Sequence, residues 1–239
     1  MNTWGSLVLA AAIAALPASG AWAAYQGGDV KDGGSISGTV KFKGTAPAPK
    51  KLDISKDKEV CGKTPKTDES LIVSNGNLAN AVVTITDIKT GKKMDVKKVT
   101  LDQKGCDYLP HVLAFPVGST VDINNDDGIL HNIHTYDAKK NSLFNEAQPK
   151  FKKTISKKID TAGPINVKCD VHGWMDGWMV SAENPYYAVT DKDGTFKLTD
   201  VPPGSYTVQV WQEKLGTSTQ KVTVKPKEDA KVNFEMAAK

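Results

Sequence analysis

Ile165-Asn166-Val167-Lys168-Cys169-Asp170-Val171-His172-Gly173-Trp174-Met175 is the stretch on which the reading of this chain turns. Its first half alternates apolar and polar residues. Period two places Ile165, Val167 and Cys169 on one face of a strand, with Asn166 and Lys168 on the other. The strand therefore ends with a cysteine aimed at an apolar core. The second half gathers a thiol, an imidazole and a thioether in the pattern Cys-x-x-His-x-x-Met.

Outward from this strand the chain keeps the same character. β-branched or alternating runs, separated by Gly, Pro, Asn and Asp, predict strands near 37–43, 81–87, 98–102, 112–115, 120–124, 132–136, 153–159, 165–169, 178–181, 194–198, 205–211, 219–225 and 231–234. No long amphipathic helix is visible; short ones fit 53–60 or 142–147. So many short strands predict an all-β chain of sandwich architecture. Residues 25–34 read as a mobile Gly-rich leader, and 45–51 as an exposed Pro/Lys-rich loop.

Two turn signals lie beyond a break at Glu183-Asn184-Pro185. Asp193-Gly194 predicts a hairpin turn and Pro202-Pro203-Gly204 a rigid tight turn, bracketing a strand.

The amino-terminal apolar run Leu7–Leu16, followed by Pro17 and then Ala21-Trp22-Ala23, reads as a signal peptide cleaved before Ala24, although no Lys or Arg precedes the run. The run is too short to span a bilayer, and no later stretch is long and apolar enough to do so. The mature chain is therefore expected in the periplasm or secreted, without a membrane span.

The formal net charge of +4, with 24% charged residues of mixed sign, carries no nucleic-acid signature. The Lys150, Lys152, Lys153, Lys157, Lys158 run fits either steering of an acidic partner or a solvated strand face.

Three cysteines in an exported chain leave one over once a pair forms. Cys61 and Cys106 lie in polar, loop-like surroundings and are expected to pair. Cys169, at the end of its apolar alternation, is kept for a metal. A thiolate, two imidazoles and a weak axial thioether make a blue-copper site, soft enough for Cu(I) and nitrogen-rich enough for Cu(II). Cys169, His172 and Met175 supply three of these groups. The second imidazole is open among His111, His131 and His134. Alternation puts His131 and His134 on opposite faces of one strand, so the two do not share an ion. Met179 is a rival axial group, more at home in the core. Trp174 and Trp178 are candidates for a partner-docking patch around His172 or for capping the core.

Together, Val117-Gly118-Ser119-Thr120-Val121, Leu130-His131-Asn132-Ile133-His134, Thr161-Ala162-Gly163 and the Cys-x-x-His-x-x-Met loop resemble the cupredoxin (blue copper) family, in its amicyanin- and plastocyanin-like branch, over about 97–182. The resemblance implies a Greek-key sandwich and His131 as the remaining ligand. It also implies that Asn132 hydrogen-bonds to tie the two ligand loops together. Thr190-Asp191-Lys192-Asp193-Gly194-Thr195-Phe196 and Val201-Pro202-Pro203-Gly204-Ser205-Tyr206 resemble the carboxypeptidase regulatory-like, transthyretin-type β-sandwich. Ser37–Val40 and Leu78–Val83 resemble its opening strands, which makes the middle of the chain an insertion.

The expected organisation is a signal peptide at 1–23, a leader and the first regulatory-like strands at 24–96, the copper domain at 97–183, and the rest of the regulatory-like sandwich at 184–239. The expected role is a type 1 copper protein, not an enzyme. It would carry one mononuclear copper ion and pass single electrons between redox partners, such as a c-type cytochrome or a dehydrogenase, with His172 near the surface as the electron port. The alternatives are copper binding and delivery without redox work, or a structural β-sandwich role.

Overall fold

The computed structural model describes residues 25–238. The expected signal peptide lies outside the described residues. The first group of elements is β1 (Gln26–Gly28), β2 (Gly34–Phe42), the one-turn helix α1 (Lys58–Cys61), β3 (Val73–Ser74), β4 (Asn77–Leu78), β5 (Val82–Ile85) and β6 (Thr90–Lys92). The second is β7 (Lys98–Gln103), β8 (Tyr108–Leu109), β9 (Val112–Pro116), β10 (Thr120–Asn125), β11 (His131–Tyr136), β12 (Ser142–Gln148), β13 (Thr154–Lys158), β14 (Gly163–Lys168) and β15 (Asp176–Ala182). The third is β16 (Tyr187–Val189), β17 (Thr195–Val201), β18 (Gly204–Gln212), β19 (Gly216–Val224), β20 (Asp229–Lys231) and β21 (Phe234–Met236).

Strands of the second group pair only among themselves. They form one sheet in the order β13-β10-β7-β8 and another in the order β12-β11-β14-β15-β9. Strands of the first and third groups pair with each other, in the orders β16-β5-β18-β19 and β17-β2-β4-β3, with β20 and β21 added on β2. The fold is all-β, with two sandwiches; the middle of the chain builds one, and the flanks close the other around it.

Each sandwich has its own core, as binary patterning requires. Leu101, Phe115, Val121, Ile123, Ile133, Ile165, Val167 and Met179 fill the middle one. Ile36, Val40, Leu78, Ile85, Phe196, Val208, Val210 and Phe234 fill the outer one. A smaller cluster of Val82, Val112 and Val180 joins them, with Trp178 packed on Trp211 at a ring separation of 5.0 Å.

Four local expectations need correcting. Residues 25–34 are no loose leader: β1 pairs in parallel with β6, and the Tyr25 hydroxyl donates to the Lys92 carbonyl. Gly27 is required there, because a Cβ would come within 2.8 Å of the Lys93 backbone. The short helix considered at 142–147 is strand β12, since β11 offers it an antiparallel ladder, interrupted only by an irregularity between Thr135 and Tyr136. Of the stretch considered at 53–60, only the final turn is helical, as α1. Asp193-Gly194 closes no ladder. Gly194 takes the left-handed conformation at φ +68 and donates its amide to the Asp191 carbonyl. However, β16 and β17 lie in different sheets, so the turn passes the chain from one layer to the other. No helix among the described residues is long and apolar enough to cross a membrane.

Candidate metal centre

The alternation read in β14 is realised: Ile165 and Val167 are fully buried, and Cys169, just past the strand, is 3% exposed. The chain then turns tightly into β15. The Cys169 amide donates to the Met175 carbonyl at 3.4 Å and the Met175 amide to the His172 carbonyl at 2.9 Å. This closed loop folds His172 back over Cys169 and buries both; Met175 lies in the same core.

His131 arrives on the neighbouring strand β11, which pairs with β14. His131 and His172 are both 0% exposed. Their Nδ1 atoms face one another at 3.0 Å. Cys169 Sγ lies 4.0 Å from the first and 3.8 Å from the second. His134 lies on the opposite face of β11, half-buried, against Asp170, Asn145, Ser142 and Tyr136.

Asn132 binds the ligand loop to β11. Its Oδ1 accepts from the Asp170 amide at 2.6 Å and the Val171 amide at 3.3 Å, and lies 3.4 Å from Cys169 Sγ. Its Nδ2 donates to Asn145 and Asp170.

Both imidazoles are held from behind by carboxylates. His131 Nε2 lies 2.9 Å from Asp127 Oδ2, and His172 Nε2 lies 2.8 Å from Asp57 Oδ2. Each Nε2 is therefore the protonated donor, and each Nδ1 turns a lone pair inward. Two lone pairs and a sulfur facing one another repel unless a positive charge sits between them.

Burial and neighbouring charges act on all three groups in opposite directions. Burial works against a charged His131, yet the Asp127 carboxylate and the Cys169 thiolate outweigh it and raise His131 to about 9. Burial likewise opposes the Cys169 thiolate, but His131 and surrounding backbone amides pull its pKa below the usual thiol value. Burial and the neighbouring His131 depress His172, against the pull of Asp57. The three donor atoms lie close enough together to hold a metal ion, and the sulfur–nitrogen donor set suits copper or zinc over magnesium or calcium.

His172 is not the exposed edge expected for an electron port. Asp57 and the Trp174 ring, 5.1 Å away, cover it. Trp174 donates through Nε1 to the Cys106 carbonyl, and Trp178 packs between the sandwiches, so neither tryptophan builds an open patch around His172. His111 is buried and paired with Glu213 of the outer sandwich. Lys152 and Lys157 both pair with Glu146. Cys61 and Cys106 are joined by a disulfide, and Cys169 is free.

No sequence motif marks Asp57 or Asp127 as part of the site. Asp57 lies 115 positions from the histidine it touches, so no spacing rule connects them. Asp127 is four residues before His131, and a carboxylate so close to a candidate ligand was a usable signal.

A family model for the carboxypeptidase regulatory-like domain matches residues 175–237. Among solved structures, a purple cupredoxin from Nitrosopumilus maritimus is 24% identical, covering 35% of this chain and 99% of its own, with a TM-score of 0.32. Amicyanin from Paracoccus versutus (Thiobacillus versutus) is 19% identical, covering 42% of this chain and 97% of its own, with a TM-score of 0.32. No curated protein matches the sequence.

Proposed function

We propose that the chain is an exported copper protein that carries single electrons between redox partners. His131 Nδ1, His172 Nδ1 and Cys169 Sγ would hold the ion, with Met175 as the fourth residue of the set. The observation that carries this reading is the convergence of those three buried atoms, with both imidazole Nε2–H groups committed elsewhere. Bound copper would supply a one-electron couple.

The chain's own residues prepare the site for that couple. The closed 169–175 loop and Asn132 fix the donors in place. Ile133, Val167 and Met179 share one buried cluster with Cys169 and Met175 and would keep water from the ion. A dry, rigid surround lowers reorganisation when charge changes. The partner we propose is a redox protein such as a c-type cytochrome or a dehydrogenase. The domain division we infer is a copper-binding module over 97–183, inserted into a regulatory-like sandwich built from 24–96 and 184–239. Export accords with the signal-like N-terminal segment and with the disulfide, which suits an oxidising compartment.

One observation favours a second reading, copper holding and delivery without electron transfer: Asp57 and Trp174 cover the outer edge of His172. The deciding experiment is a visible spectrum of the mature chain with Cu(II), beside Cys169→Ser, followed by voltammetry. An intense thiolate-to-copper band absent from the variant, with a reversible potential, supports electron transfer. The band without reversible redox favours delivery. A folded protein with no band overturns the blue-copper reading.

A further inference from the structure

The two carboxylates behind the imidazoles come from distant parts of the chain, yet both are attached to the same crosslink. Asp57 stands at the N-cap of α1. An aspartate there ordinarily turns its carboxylate onto the amides of the first helical turn. Asp57 makes no such bond, and its backbone is left-handed at φ 45 and ψ 45. Aspartate tolerates that conformation better than most residues, and it persists where surrounding contacts enforce it. The Val60 and Cys61 amides are satisfied by the Asp57 carbonyl, at 2.9 and 2.8 Å. The freed carboxylate goes to His172 Nε2. The Asp57 backbone thus serves its own helix, while its side chain is spent on His172.

Cys61, anchored to the Asp57 carbonyl, is bonded to Cys106. The amides of Cys106 and Gly105 donate to the two oxygens of Asp127, at 2.8 and 2.5 Å. Asp127 in turn accepts from His131 Nε2. The Cys106 carbonyl accepts from Trp174, whose ring lies against His172. A continuous frame therefore runs from His172 through Asp57, Cys61, Cys106 and Asp127 to His131.

We propose that Asp57 and Asp127 are positioning residues for His172 and His131, and that the Cys61–Cys106 disulfide holds the two carboxylates as one clamp behind the donor atoms. The inference rests on His131 and His172 being metal donors. An Nε2–H bound to a carboxylate fixes the tautomer and ring orientation and makes Nδ1 a stronger donor. The segment between β2 and β3, with α1 as its one helix, becomes part of the metal centre, and the outer edge of His172 meets a carboxylate instead of solvent.

The test uses the full mature chain and two readouts. Histidine side-chain nitrogen NMR of the metal-free protein reports whether each Nε2–H is present and protected. Competition with a chelator reports affinity for Zn(II) and Cu(I). In the wild type both Nε2–H groups are protected. Asp57→Ala loses protection at His172 alone, and metal affinity falls about 10–100-fold, the usual effect of removing such a partner. Asp57→Asn keeps an acceptor oxygen and restores the tautomer. Cys61→Ser/Cys106→Ser loosens both imidazoles, and adding it to Asp57→Ala/Asp127→Ala lowers affinity no further, as expected for groups acting as a unit.

Protection at both histidines without the disulfide, or losses that simply add, would overturn the clamp. If the crosslink variant does not fold, a cycle between Asp57→Ala and Asp127→Ala decides: coupled losses support one clamp, and additive losses refute it. A wild type that shows no blue-copper band defeats the function proposed above, while the metal-free NMR still judges the clamp independently.

Discussion

Cys169 meets two opposed demands: burial favours the neutral thiol, while His131 and nearby backbone amides favour the thiolate. A buried thiol without such neighbours is inert. His131 and His134 are separated by face, not by distance along the chain, which gives a direct comparison. His131→Ala should abolish the copper-thiolate band, whereas His134→Ala should leave its position and intensity unchanged; titration with Cu(II) under visible absorption checks both. At this scale much was legible. Period two along 165–169 placed the cysteine, and the same rule set His131 and His134 apart. The exposure of His172 was not legible, because the groups that cover it, Asp57 and Trp174, are brought there by loops whose course no periodicity encodes.

Among elements, β14 carries the most consequence, since its buried face leads straight into Cys169. Ile165 is fully buried among the middle-sandwich core, pairing across to Met179 on β15. Ile165→Ala should destabilise the protein by about 2–5 kcal/mol, through lost burial and an unfilled cavity. Urea denaturation of the metal-free protein measures it. Strands with strong alternation were readable along the chain. Those that alternate weakly, β1, β3, β4, β6 and β12, owe their conformation to a partner strand and not to their own residues. β12 shows this clearly: Ser142–Gln148 suits a short helix in isolation, and the β11 ladder decides otherwise.

For the whole molecule, the two sandwiches are joined by a buried ion pair as well as by apolar contact. His111 lies between β8 and β9, and Glu213 lies just after β18. Burial alone would lower the His111 pKa; the Glu213 carboxylate, with Glu69 and Asp176 nearby, outweighs it and raises it above the usual histidine value. A raised folded-state pKa means the pair's stabilisation is fully present below about pH 6.5 and is lost as pH rises through the folded value. Glu213→Gln should therefore lower the melting temperature more at pH 6 than at pH 8.5, and thermal melts at the two values check the sign. This contact was invisible beforehand, because His111 and Glu213 are 102 positions apart and belong to different sandwiches.

The interleaving of the two sandwiches also sets an order of events during synthesis. Strands β7 to β15 are contiguous, so every partner they need has emerged once residue 182 has. β5 must wait for β16 and β18, and β2 for β17, β20 and β21. As the chain emerges from its amino terminus, the middle sandwich can condense while the outer one still lacks half its strands. β17, β20 and β21, made after the middle sandwich, are then the strands that close on β2, and a nascent chain stalled midway presents β2 as an unsatisfied edge, open to pairing with a neighbouring chain.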